Sequence, residues 1–238
     1  VGYFLEGICK NLDPAHIELV AFSTTPVEDE LTARIKPFFR EWQPLYGAND
    51  EAASRKIHAA NINVLIDLAG HTSGNRLGVF AYKPAPIQIT WLGYWASTGL
   101  KAIDFLLGDP YATPESEDHL YTESVWRLPE TRFCFTTPST EHSIEPWPYL
   151  RNGFVTFGCF NNLSKMTDSV VALWSKILLR EPTAKLFLKS KQLSETSVIE
   201  EVLANFAKHG VPSERIILEG QSPRDEYLDT YNRIDIAL

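Results

Sequence analysis

Apolar residues along this chain switch between two spacings. Phe4, Leu5, Ile8 and Leu12 recur at helical intervals, a period that places them on one face and predicts a helix. Residues 17–22 form a short apolar run that predicts a buried strand. Residues 28–41 read as a helix through Leu31, Ile35 and Phe39. Pro37 is placed to interrupt it, because proline removes a backbone donor and crowds the preceding turn. A helix over 52–60 follows, then strands at 64–66, 87–92, 105–107 and 125–128. Over 136–152 the pattern lapses into Thr, Ser, Glu and three prolines, Pro138, Pro146 and Pro148, the composition of a linker between domains. A second series then begins: strand 154–160, helix 168–180, strand 186–188, helix 195–208, strand 215–218, a helical 223–232 and strand 234–238.

Strands alternating with helices imply a mainly parallel sheet with helices on both faces. Two such series predict an α/β protein of two Rossmann-like domains. The expected division is a first half over 1–137, a linker over 138–152 and a second half over 153–238. No G-x-G-x-x-G fingerprint occurs, and no repeat of 34 residues is visible.

Candidate chemistry gathers where strands end. In open α/β sheets ligands bind at the carboxyl ends of strands. The strand at 64–66 runs into Asp67 and breaks at Gly70-His71-Thr72, and the strand at 87–92 ends at Gly93-Tyr94. A histidine at such a break serves as a base, as a hydrogen-bond donor to a sugar, or as a structural cap. Asp67 serves equally as a general base or as a cap of its own turn. Tyr94, Ser97 and Thr98 stand where they line a ligand or form an ordinary turn. In the second half, Lys165 lies in F-N-N-L-S-K-M-T-D, just before the helix at 168, with Thr167 as the expected N-cap. A helix start and a lysine together suit a diphosphate.

Composition narrows the picture. The 238 residues are 44% hydrophobic and 22% charged, enough for a sizeable core. Net charge is −8, from 22 basic and 30 acidic residues, which disfavours extended nucleic-acid binding. Cys9, Cys134 and Cys159 make no C-x-x-C pair, so a reducing, cytoplasmic setting is expected. No apolar run approaches the roughly 20 residues that span a bilayer, and no membrane association is expected. The other histidines, His16, His58, His119, His142 and His209, share no ligand-like spacing, and Asp104 and Asp109 are not a D-x-D pair. No metal is expected.

Three words in register carry more than local physics. D-L-A-G-H-T, then K-P-A-P-I-Q, then W-L-G-Y closely resemble the catalytic region of the SPINDLY and O-GlcNAc transferase family, glycosyltransferase family 41, in its bacterial type. The resemblance implies the two-domain GT-B architecture. It implies an inverting, metal-independent enzyme with no cofactor that moves GlcNAc from UDP-GlcNAc to Ser or Thr of proteins, with a nucleotide-sugar donor and a protein acceptor as partners. Related members use GDP-fucose or UDP-glucose. By the resemblance, Lys165 contacts the diphosphate with Asn162 nearby, and His71 sits at the donor and acceptor cleft. His71 and Lys165 are thus the catalytic candidates. Asp67, Gly70, Thr72, Tyr94, Thr98 and Asn162, again with Lys165, are the substrate-binding candidates. The family carries a strand and a histidine before the residues matching Val1 and a Gly/Thr-rich segment after those matching Leu238. Both halves are therefore expected to be truncated and the isolated chain inactive, which keeps a non-catalytic protein-binding module as an alternative. A sugar-nucleotide epimerase shares the architecture, but no acid/base carboxylate pair for it is identifiable.

Overall fold

The computed structural model describes residues 1–137 and 142–238. The chain divides into two compact units, Val1–Thr137 and Pro138–Leu238. The first unit runs α1 (Gly2–Asn11), β1 (Val20–Ser23), α2 (Glu30–Ile35), β2 (Glu41–Pro44), α3 (Asp50–Ala59), β3 (Val64–Asp67), α4 (Leu77–Ala81), β4 (Ile87–Thr90), β5 (Phe105–Gly108) and β6 (Ser124–Arg127). All its strand pairs are parallel, in two sheets: β1 with β2, and β3-β4-β5-β6 in chain order.

Local sequence explains the helix limits. The Asp29 side chain accepts a hydrogen bond from the Thr32 amide at 2.8 Å, and the Asn49 side chain accepts one from Ala52 at 2.8 Å. Each satisfies a donor that the first helical turn leaves free. α2 closes at Ile35, where Lys36–Phe38 tightens into a 3-10 turn containing Pro37. The expected helix over 28–41 is therefore split, and its last residue begins β2. Glu41-Trp42-Gln43 has no apolar run to announce a strand. Its pairing with β1, Val20 opposite Glu41, supplies the hydrogen bonds that make it one. The five-residue α4 is likewise too short for periodicity to reveal. Its Leu77, Val79 and Phe80 nonetheless join Leu45, Ile57, Leu65 and Ile103 in the core of this unit.

The second unit contains α5 (Tyr149–Asn152), β7 (Thr156–Cys159), α6 (Asp168–Arg180), β8 (Lys185–Lys189), α7 (Thr196–Lys208), β9 (Ile216–Glu219), α8 (Arg224–Asp229) and β10 (Ile236–Ala237). Among the described residues its sheet is parallel in the order β10-β7-β8-β9. Leu186, Phe187 and Leu188 on β8 are all at most 2% exposed, as a parallel strand covered on both faces requires. Val171 and Leu178 of α6 and Val202 and Phe206 of α7 complete that core.

The expected linker over 138–152 needs correction. Residues 138–141, Pro138 included, lie outside the described residues. Residues 142–152 are bonded into the second unit: His142 Nδ1 lies 2.8 Å from Asp229 Oδ1, Asn232 donates to the Ser143 carbonyl at 2.8 Å, and Tyr149 N–H donates to Asp235 at 2.8 Å. Prolines leave most of this stretch without regular structure, and long-range polar bonds fix it all the same. Among the described residues no helix is long and apolar enough to cross a membrane.

One ion cluster ties the first two helices. Glu6 of α1 is buried and accepts from Arg34 Nε at 3.0 Å, Arg34 Nη2 at 3.2 Å and Lys10 Nζ at 2.9 Å. The Arg34 hydrogen bonds, then Lys10, lower its carboxyl to about 2 from an ordinary 4.5. A lowered folded-state value stabilises the fold above the unfolded value, and that contribution disappears as pH falls through the folded one. Wild-type unfolding free energy is expected to drop between pH 4.5 and 2 by more than that of Glu6→Gln. Parallel slopes for the two proteins in urea titrations across this window would refute the assignment.

Candidate active site

β3 and β4 pair with Asp67 opposite Thr90, so their carboxyl ends open side by side. The ladder continues one step further, Trp91 N–H donating to the Asp67 carbonyl at 2.9 Å. Asp67 itself is 4% exposed. One carboxylate oxygen accepts from the Ala69 amide at 3.0 Å, the other from the Gly70 amide at 2.9 Å and the Thr90 hydroxyl at 2.8 Å. The side chain thus accepts both from its own turn and from β4.

The two loops that leave these strands interlock through glycines. Gly70 has φ +53°, and a Cβ there would lie 2.3 Å from Tyr94 Cβ. A Cβ on Gly93 would lie 2.0 Å from the Leu68 carbonyl oxygen. Leu92, with φ +71°, turns the chain into Gly93, a backbone region that non-glycine residues seldom occupy. The close approach sets the His71 ring edge-on to Tyr94, centroids 5.3 Å apart at 78°. Trp95 continues the cluster, tilted 32° to Tyr94 at 6.1 Å, and is 71% exposed. Thr72 donates its hydroxyl to the Ala69 carbonyl at 2.7 Å.

Gly70, His71, Thr72 and Tyr94 are thus brought together. Thr98 is not part of that surface. It is 5% exposed, and its amide and hydroxyl both donate to the buried Glu123 carboxylate. Thr98, expected to line a ligand surface or form an ordinary turn, has both donors directed inward to this carboxylate. Asp104 and Asp109 are also committed to the frame. Asp104 pairs with Lys83 Nζ at 2.5 Å and accepts from the Gln88 amide at 2.7 Å. Asp109 accepts from the amides of Tyr111, Ala112 and Arg132, and these bonds, that of Arg132 first, hold its carboxyl below the usual range.

In the second unit β7 ends at Cys159, and a 3-10 turn over Leu163–Lys165 precedes α6. Asn162 organises this turn: its side-chain oxygen accepts from the Ser164 amide at 3.0 Å and from Gln192 Nε2 at 2.7 Å. Lys165 is exposed at the end of the turn, two residues before the helix N-cap. Beside it is a shallow pocket of about 140 Å³ lined by Asn161, Asn162, Lys165, Met166, Trp174 and Leu188. Thr167 holds the N-cap position, but its hydroxyl pairs with Ser169 Oγ at 2.8 Å rather than capping a backbone amide. The turn therefore offers a cation beside the positive end of a 13-residue helix, an arrangement that attracts phosphate.

Residues 21–138 match the family profile described as Glycosyl transferase family 41. The probable UDP-N-acetylglucosamine–peptide N-acetylglucosaminyltransferase SPINDLY of Petunia hybrida is 34% identical over 100% of this chain. Its Arabidopsis thaliana counterpart is 32% identical over the same span. The chain belongs to glycosyl transferase family 41. It covers 26% and 27% of those two relatives, about a quarter of their length. A solved structure of a lysine-to-methionine mutant of the Thermobaculum terrenum O-GlcNAc transferase superposes with a TM-score of 0.92 at 35% identity, over 99% of this chain and 45% of that one. The α/β fold with parallel sheets is thus a family 41 fold.

Three residues of this family 41 segment were not legible as site components: Trp95, Glu123 and Gln192. A lone Trp, Glu or Gln in a loop carries no spacing signal, and only contacts reveal them. The glycine lock is testable. Gly70→Ala is expected to cost on the order of 1–3 kcal/mol for its left-handed backbone, plus a further loss from the Tyr94 clash. Gly47→Ala, at φ +80° with open space around it, reports the backbone cost alone. Equal losses for the two variants in urea unfolding would show that the Tyr94 contact does not demand glycine.

Proposed function

We propose that this chain carries part of the active site of an inverting, metal-independent transferase that moves GlcNAc from UDP-GlcNAc to Ser or Thr of a protein. The observation that carries this reading is Lys165 on its 3-10 turn at the start of α6, within a chain 99% of which superposes on part of a solved O-GlcNAc transferase structure. The names of the SPINDLY relatives support the same donor and a peptide acceptor. The reaction forms a bond from the acceptor oxygen to the anomeric carbon and breaks the bond from that carbon to the diphosphate. UDP leaves with the electron pair, and the acceptor proton passes to a base. Charge therefore grows on the diphosphate as the transition state forms, and a preorganised cation is most effective there. Lys165 and the α6 start have that role, with Asn162 fixing the turn.

His71 is assigned to binding the sugar and acceptor, its ring set by Tyr94. Thr72, Tyr94 and the exposed ring of Trp95 are assigned to the acceptor side, with Gly70 allowing their close approach. Asp67 supports the loop from beneath. The reading places the enzyme in the cytoplasm, in keeping with three cysteines that form no disulfide.

Lys165→Ala in the full-length protein is expected to lower kcat by roughly 100- to 1000-fold, about 2.7–4 kcal/mol of transition-state stabilisation. Turnover of UDP-GlcNAc with a peptide acceptor measures it, and a variant transferring sugar at the wild-type rate removes Lys165 from the mechanism. GDP-fucose and UDP-glucose run in parallel: product from one of these alone would overturn the donor assignment, and no product from any would favour a binding module. Chelator is expected to leave turnover unchanged. Loss with EDTA and recovery on adding a divalent ion would refute the metal-independent mechanism.

A further inference from the structure

The carboxylate of Glu123 lies one residue before β6 and is 4% exposed. It accepts from the Ser97 hydroxyl at 2.8 Å, from the Thr98 amide at 2.8 Å and from the Thr98 hydroxyl. Both hydroxyls are used in the other direction as well. Ser97 Oγ accepts from the Gly99 amide at 3.0 Å and the Thr122 amide at 3.2 Å, and Thr98 Oγ1 accepts from the Leu100 amide at 3.2 Å. The network draws in both ends of a 25-residue separation in sequence. Burying an ionised carboxylate is costly unless hydrogen bonds replace its water, and here three donors from a single loop do so.

That loop runs from Gly93 to Gly99. Its first residue is pinned by the Leu68 carbonyl, which leaves no room for a side chain on Gly93. Its last residues are pinned by Glu123. Tyr94 and Trp95 lie between the two anchors, and their rings complete the surface that begins with His71. Trp95 is largely exposed and gains little packing of its own, so its position depends on the backbone that carries it.

We propose that Glu123 is a positioning residue of the acceptor side: its buried carboxylate clamps Ser97 and Thr98 and so holds the Tyr94–Trp95 surface against His71. This role rests on the reading of the protein as a glycosyltransferase, and its test separates the two. Glu123→Ala, Glu123→Gln and the pair Ser97→Ala with Thr98→Val are compared with wild type in the full-length protein. Peptide kinetics are read alongside 19F NMR of protein labelled with 5-fluorotryptophan, the Trp95 signal being assigned through Trp95→Phe. Glu123→Ala is expected to lower kcat/KM for the acceptor peptide by roughly 100-fold, the scale of loss that an ångström of misplacement produces. The donor KM should change little, and the Trp95 signal should shift or broaden. Glu123→Gln, which keeps the shape and one acceptor oxygen, is expected to restore most of the acceptor kcat/KM. The loop-side pair removes the two hydroxyl bonds to Glu123, leaves the Thr98 amide bond and does not touch Glu123, and should reproduce most of the loss even where Glu123→Ala fails to fold. Lowered melting temperatures with wild-type acceptor kinetics would reduce Glu123 to a structural residue. Should wild type transfer no sugar at all, the transferase reading fails, and the NMR decides the clamp alone: a Trp95 signal unmoved in the folded variants overturns it.

Discussion

The pairing of Asp67 with Thr90 is the constraint on which the candidate site residues of the first unit depend. Register puts the two residues opposite each other at the ends of β3 and β4. The Thr90 hydroxyl then donates to the Asp67 carboxylate, and the same carboxylate takes the amides of Ala69 and Gly70. Sheet hydrogen bonding is thereby carried past the last paired residues and into the loop. A one-residue slip of β4 would bring Ile89 or Trp91 opposite Asp67 and leave a buried carboxylate short of a donor, which is expensive. Strand register and loop shape are therefore one decision.

Glycine and carboxylate divide the work that follows. Gly70 and Gly93 let two loops approach more closely than side chains permit. Asp67 and Glu123 hold those loops by accepting their backbone and hydroxyl donors. Both carboxylates are buried, and the exposed groups around them are rings and a hydroxyl. Charge supports this surface from within, and the part that faces outward is aromatic and polar.

The second unit solves a different problem with the same topology. Its exposed cation, Lys165, stands on a turn fixed by the Asn162–Gln192 bond between the β7 and β8 ends. A few residues beyond β8's start, Lys189 is buried and paired with Glu219, which Arg233 also contacts at 2.7 Å. Arg233 in turn lies 4.5 Å over the Phe187 ring. The Arg233 hydrogen bond, then that of Lys189, holds the Glu219 carboxyl below its usual range. Two lysines close to the carboxyl edge of one sheet thus have opposite fates. Lys189 is neutralised inside the fold, and Lys165 remains exposed. Against a net charge of −8, Lys165 is a local exposed positive charge.

Hydrophobic periodicity determined the helix over 168–180, the β8 strand and the two-series α/β plan, because those features follow from which positions must be buried. The words D-L-A-G-H-T, K-P-A-P-I-Q and W-L-G-Y determined the family, because three motifs rarely fall by chance in one order and spacing. Contacts between distant residues decided the rest. β2 exists because β1 supplies its ladder, and residues 142–152 are ordered because Asp229, Asn232 and Asp235 bind them. Asp67, Thr98 and Glu123 show the limit most clearly. As residue types, an aspartate and a threonine beside glycines suit a ligand as well as a turn. Only the folded chain shows that their donors and acceptors satisfy one another across 23 and 25 residues of sequence. A polar side chain's role depends on which partner reaches it first, and the tertiary structure alone brings those partners into range.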